Sequence, residues 1–136
     1  MDEVGIMADS YREWKLLERC IESTAIRYDL SISDALVLLA LGRDGFSGKK
    51  ANLADLAHIS KSVLSRSLSQ LEARGMIETQ RNGITVLTKA IDSLEALEHT
   101  IQDWKEIRFG GFTEEEVKMY KELHKRIQKN ISFALK

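Results

Sequence analysis

The amino-acid sequence predicts a mainly α-helical fold with one small β-hairpin. Three observations carry that expectation. Apolar residues recur at helical spacing along most of the chain. Proline is absent, so no rigid kink interrupts those stripes, and the breaks must come from eight glycines. Finally, Asn82-Gly83 separates two short strand-like runs, Met76 to Arg81 and Ile84 to Thr88, which is a strong hairpin signal.

The elements follow in order. Tyr11, Trp14, Leu17, Ile21, Ala25 and Tyr28 lie on one face of a first helix that ends at Asp29-Leu30. Ser31 with Asp34 three residues later forms a capping-box pattern, and Ala35 to Leu41 is apolar nearly all round, so the second helix should be central and buried. Gly42, Gly45 and Gly48 punctuate a loop. Asn52 is placed to cap a short third helix with Asp55 at its third position, and Leu53, Leu56 and Ala57 face the core. His58 and Ile59 make a turn. Ser60 caps a fourth helix, Lys61 to Arg74, with Leu64, Leu68 and Leu71 inward and Gly75 as its left-handed stop. After the hairpin, Thr88 is placed to cap a long helix with the stripe Ile91, Leu94, Leu97, Ile101, Trp104 and Ile107. Gly110-Gly111 ends it. Thr113 and Glu116 form a second capping box, and the last helix carries Val117, Tyr120, Leu123, Ile127, Ile131 and Ala134 on one face.

With 136 residues, 43% apolar and 30% charged, the chain is read as one ordinary globular domain, which excludes disorder and a multidomain enzyme. It has no apolar run of membrane-spanning length, and its acidic start, Met1-Asp2-Glu3, is unlike a secretory signal, so the expected location is cytoplasmic. A single cysteine, Cys20, rules out an internal disulfide and a thiolate metal site. It is expected to be a buried or half-buried structural residue. Asn130-Ile131-Ser132 is accordingly a chance glycosylation sequon.

Chemistry-bearing motifs are few. The Gly48-Lys49 step is no phosphate loop, because Arg43 stands where the first glycine is required and Lys50 where the magnesium-binding hydroxyl belongs. No catalytic triad, paired-carboxylate context or nucleophile turn occurs, so no enzyme and no cofactor is expected. His99 with Asp103 is the one helical pair at ligand spacing, and a surface interaction explains it without a metal. Charge is uneven, however. Residues 49–81 hold 6 Lys and Arg against 3 acids, while residues 1–48 hold 5 against 9 and residues 82–136 hold 9 against 9. A basic centre in an otherwise acidic or neutral chain points to a polyanion.

Two short helices joined by a tight turn and followed by a hairpin make a winged helix-turn-helix. Leu53-Ala54-Asp55-Leu56-Ala57, then Ile59-Ser60-Lys61-Ser62-Val63-Leu64-Ser65-Arg66, then Leu71-Glu72-Ala73-Arg74-Gly75-Met76-Ile77-Glu78 resemble the MarR family of multiple-antibiotic-resistance regulators. The resemblance extends to Leu87-Thr88 and to Phe112-Thr113-Glu114-Glu115-Glu116, and so covers nearly the whole chain. It implies a single domain, 1–136, in which 31–88 bind DNA and the helical ends, 1–30 and 89–136, dimerise. The implied protein is a homodimeric transcriptional regulator of a pseudo-palindromic operator in double-stranded DNA. The family's usual wing is longer, with an Asp-x-Arg at its tip; here Arg81, beside the turn, is the nearest substitute. That shortened wing supports the alternative of a winged-helix protein-interaction module without DNA binding.

On the fourth helix, Ser62, Arg66 and Ser69 point away from the leucine stripe, with Ser65 and Gln70 beside them. Such a face suits a major groove. Ser60, Lys61 and Val63 complete the expected contacts at its start, and Lys49, Lys50 and Arg81 are candidate phosphate contacts. The resemblance assigns dimerisation to the end stripes, here Tyr11, Trp14, Leu17, Ile21, Val117, Tyr120, Ile127 and Ile131. It also implies a small aromatic or phenolic effector, for which Tyr11, Trp14, Tyr28 and Trp104 are the candidate cleft.

Overall fold

The computed structural model describes residues 2–43, 50–81 and 83–135. In chain order these form α1 (Glu3–Arg27), α2 (Ile32–Leu41), α3 (Lys50–Ala57), α4 (Lys61–Ala73), β1 (Ile77–Gln80), β2 (Gly83–Val86), a 3-10 turn (Thr88–Ala90), α5 (Ile91–Arg108) and α6 (Glu114–Ala134). The chain divides into two compact units, Met1–Gln102 and Asp103–Lys136.

The first unit is built around α2. Ala35, Val37, Leu38, Ala40 and Leu41 are buried, and Ile32, Leu36 and Leu39 pack against the same core. The all-round apolar run therefore does what it predicts: α1, α3, α4 and β2 all pack on α2. From α1 come Ile21 and Ala25, from α3 Leu53 and Ala57, from α4 Leu64, Leu68 and Leu71, and from α5 Leu97. Thr24 and Thr100 share a hydrogen bond of 2.6 Å that joins α1 to α5. At Gly42 a Cβ would lie 3.1 Å from the Leu94 methyls and 3.0 Å from Glu98, so the glycine read as loop punctuation is a close-approach point for α5.

Three helices stop in the same way. Leu30 N–H donates to Ala25 C=O (3.0 Å) and Asp29 N–H to Ile26 C=O (3.1 Å) after α1. Ile59 to Ala54 (3.2 Å) with His58 to Asp55 (3.3 Å) repeats this after α3, and Met76 to Leu71 with Gly75 to Glu72 (both 3.0 Å) after α4. These are Schellman stops, each needing a left-handed residue: Asp29 at φ 60°, His58 at φ 57° and Gly75 at φ 73°.

Several expected boundaries shift. Asp2 caps α1, accepting from Gly5 N–H at 2.9 Å, so the helix extends two turns ahead of the Tyr11–Tyr28 stripe, within the expected helical region 1–30. Asn52 lies inside α3 and does not cap it, because the helix already starts at Lys50. Thr88 is the first residue of the 3-10 turn; Leu87 stands at its cap position without a side-chain cap bond. In the hairpin, Gln80 pairs with Gly83 and Ile77 with Val86, so Gly83 belongs to β2 and the turn lies one residue earlier than Asn82-Gly83. Asn82 itself is outside the described residues.

In the second unit, α6 opens on the capping box the sequence predicts: Thr113 accepts from Glu116 N–H at 3.1 Å, and the Glu116 carboxylate accepts from Thr113 N–H at 2.9 Å. Phe109 stands edge-on to Phe112 and Tyr120, and the Arg108 guanidinium lies over the rings of Phe109 and Tyr120. No described residue of α6 is buried.

Because α2 carries the first unit's packing, Leu38→Ala, which empties a fully buried site, should lower the unfolding free energy by about 2–5 kcal/mol in denaturant titration.

Candidate nucleic-acid interface

α3, the turn at His58 and Ile59, and α4 form the helix-turn-helix. Ser60 adopts extended backbone and its hydroxyl accepts from Val63 N–H at 3.2 Å, so its role is to start α4. The Ser60 and Ser62 hydroxyls also share a hydrogen bond of 3.1 Å. Leu64, Leu68 and Leu71 are buried against α2, which fixes the rotation of α4 about its axis. The opposite face then presents Lys61, Ser62, Ser65, Arg66, Ser69 and Gln70, all exposed. Between Lys61 and Gln70 there is no acidic residue, and Arg66 makes no hydrogen bond or ion pair with the described residues. Val63 is half-buried at the edge of this face, since a quarter-turn separates it from both the leucines and Arg66.

Helical rotation also puts Ser67 among the leucines, a position the reading of the outward face passed over. It is 1% exposed, and its hydroxyl has no hydrogen-bond partner among the described residues.

The candidate phosphate contacts fare unevenly. Arg81 is exposed and follows directly on β1, so with the corrected register it stands in the hairpin turn itself and not one residue before it. Lys61 is exposed at the positive end of α4. Lys49 lies outside the described residues, and of Lys50 only its place at the start of α3 is described. Arg74, at the end of α4, donates to the carbonyls of Asp29 (2.8 Å) and Tyr28 (3.3 Å) at the end of α1.

The stripe assigned to dimerisation divides along α1. Ile21 is 1% exposed, so it belongs to the chain's own core and is not available to a partner. Leu17 is half-buried, and Trp14 is half-buried with its ring 5.3 Å from that of His58. Tyr11 is 65% exposed, and Val4 and Met7 on the same face are more exposed still. On α6, Val117 and Tyr120 are half-buried, and Ile127 and Ile131 are about half exposed (55% and 48%). Of the candidate effector residues, Tyr28 packs against the core, while Trp104 is half-buried and belongs to the second unit. Cys20 is exposed, correcting the expectation of a buried cysteine: it lies off the stripe, between the polar positions of α1. Among the described residues no group of three His, Cys, Asp or Glu is placed to hold a metal, and no helix is long and apolar enough to cross a membrane.

Residues 34–98 match the Crp-like helix-turn-helix domain family. No curated protein matches the chain. Many solved structures do. A MarR-family transcriptional regulator from Silicibacter pomeroyi is similar at 19% identity and a TM-score of 0.75, over 88% of this chain and 85% of that one. A MarR transcriptional regulator from Methanosarcina mazei is similar at 15% and 0.77, over 98% and 94%. A MarR protein from Peptoclostridium difficile is similar at 16% and 0.77, over 100% and 94%. The fold is thus the winged helix-turn-helix of the MarR-type structures, in agreement with the sequence.

Ser67 supplies a test of how α4 is assigned. Ser67→Ala removes a buried hydroxyl without a described partner, so it should raise stability by about 1 kcal/mol in thermal or denaturant unfolding. A loss of stability would mean that the hydroxyl is satisfied.

Proposed function

We propose that this chain is a MarR-type transcriptional regulator, a homodimer that reads the major groove of a pseudo-palindromic operator with α4. The observation that carries the reading is the outward face of α4: exposed hydroxyls, an amide and one arginine, free of acids, on a helix whose rotation is set by buried leucines. Arg66 pairs its two-pronged guanidinium with a guanine edge, and Ser65, Ser69 and Gln70 contact neighbouring bases or phosphates. Ser62 and Lys61, at the start of the helix, and Lys49, Lys50 and Arg81 hold the phosphate backbone. The MarR-type neighbours and the Crp-like domain match support a DNA-binding regulator over an enzyme.

The dimer uses the chain ends. Val4, Met7 and Tyr11 continue the face of α1 that carries Ile21 and Ala25, but beyond the point where the chain's own core ends. Leu123, Ile127 and Ile131 leave an apolar stripe open on α6. Apolar faces of this kind mark association surfaces. In sedimentation analysis the parent chain should run as a dimer at micromolar concentration, and Ile127→Asp with Ile131→Asp should shift it toward monomer. A parent that runs as a monomer would remove the dimer.

Titration against the chain's own promoter region tests the DNA reading. Arg66→Ala should cost about 1–3 kcal/mol per half-site and relax preference at one base pair. Arg81→Ala should weaken all sequences alike and shallow the salt slope by about one per half-site. Binding-site selection on both variants separates the two roles. If Arg81→Ala changes the selected sequence and Arg66→Ala does not, the hairpin is the reader.

A further inference from the structure

Both ends of α4 are tied to α1 by side chains that lie outside the reading face. At the C-terminal end, Arg74 donates from Nη1 to the carbonyl oxygen of Asp29 at 2.8 Å and from Nη2 to that of Tyr28 at 3.3 Å. These oxygens sit at the negative end of the α1 dipole, so the contact is charge-assisted twice over. At the N-terminal end, the His58 ring, in the turn before α4, lies 5.3 Å from the ring of Trp14 and is tilted 54° to it. His58 holds φ 57°, where glycine would serve the turn without strain. What the imidazole adds is the contact with α1.

The two ties are also matched in length. Trp14 and Tyr28 are 14 residues apart on α1, about 21 Å of helix, and α4 with its 13 residues is about 20 Å long. α1 therefore reaches from one end of α4 to the other, while both helices pack on α2.

We propose that Arg74 and the Trp14–His58 pair are positioning residues that hold α4 at a fixed direction to α1, as a splint holds a rod. The role rests on the DNA-reading dimer proposed above. Because that dimer uses α1, this direction sets the distance between the two reading helices, and a helix-turn-helix dimer selects half-sites by that distance.

The first test needs no DNA. Cys20, the one cysteine and an exposed residue of α1, accepts a spin label, and Ser69→Cys accepts a second on α4. Labelled full-length chain is diluted with unlabelled chain so that each dimer carries one labelled copy. The distance distribution should be narrow in the parent and broaden in Arg74→Met and in His58→Gly, with Arg74→Lys between them because an ammonium keeps one of the two bonds. Glycine suits the backbone at position 58, so broadening there is not misfolding. Unchanged distributions in both variants would overturn the proposal.

The second test uses the unlabelled chain and operators with half-sites moved a base pair closer or further apart. The preference of the parent for one spacing should shrink roughly tenfold in Arg74→Met, as expected for a lost charged hydrogen-bond pair, with single half-site affinity retained. A uniform loss at every spacing would make Arg74 a stabilising residue only and overturn its positioning role. A parent that binds at no spacing would sink the DNA reading, and the label distances would still decide whether the ties hold.

Discussion

The burial of α2 on every side is the constraint from which the rest of the first unit follows. A ten-residue helix is too short to persist alone in water, so it exists because four elements close around it. In return it provides a common floor for α3 and α4. The geometry of the helix-turn-helix is therefore set by leucines on both helices pressing on the same surface, and only secondarily by the turn between them. The same burial carries a cost at the edges. Asp34 sits in the first turn of α2, is 4% exposed, and its Oδ1 has no hydrogen-bond partner among the described residues. The cap itself is the exposed Ser31, whose hydroxyl accepts from Asp34 N–H at 3.1 Å.

The chain has no proline, and it ends three of its helices with the same hydrogen-bonded, left-handed stop. The residue after each stop, Leu30, Ile59 and Met76, is apolar and turned into the core, so the stop also aims the next element. Two of the three left-handed positions carry side chains. Asp29 contributes its carbonyl to Arg74, and His58 its ring to Trp14. The helix ends thus serve as attachment points as well as terminators.

Features with a local period were legible in the sequence: the buried second helix, the leucine stripe and outward face of α4, the capping box of α6 and the left-handed Gly75. The reading failed where distant contacts decide. Asn82-Gly83 is a good turn on its own, but the register is taken by the pairing of buried Ile77 with Val86, which moves the turn by one residue. The exposed first turns of α1 have no core to mark them, and Asn52 has the chemistry of a cap but falls inside α3, which begins before its apolar residues. Arg74 bonds the end of α1, and a bond between residues 45 apart leaves no trace in local spacing. Ile21 shows the limit of a stripe: periodicity tells which residues share a face, never whether the face is covered by the same chain or by another.

The hairpin joins the core only at its base. Ile77 is buried, Ile84 and Val86 are partly so, and the remaining side chains of β1 are exposed. Arg81, directly after β1, is exposed, and lengthening a surface loop costs only the slowly growing entropy of closing it. The wing can therefore gain or lose residues while the cooperative unit beneath it stays as it is. Evolution, or an engineer inserting an epitope or a fluorophore, can alter this segment independently of folding, whereas an insertion between α3 and α4 would disturb the left-handed stop at His58 and the packing of Ile59 on the core.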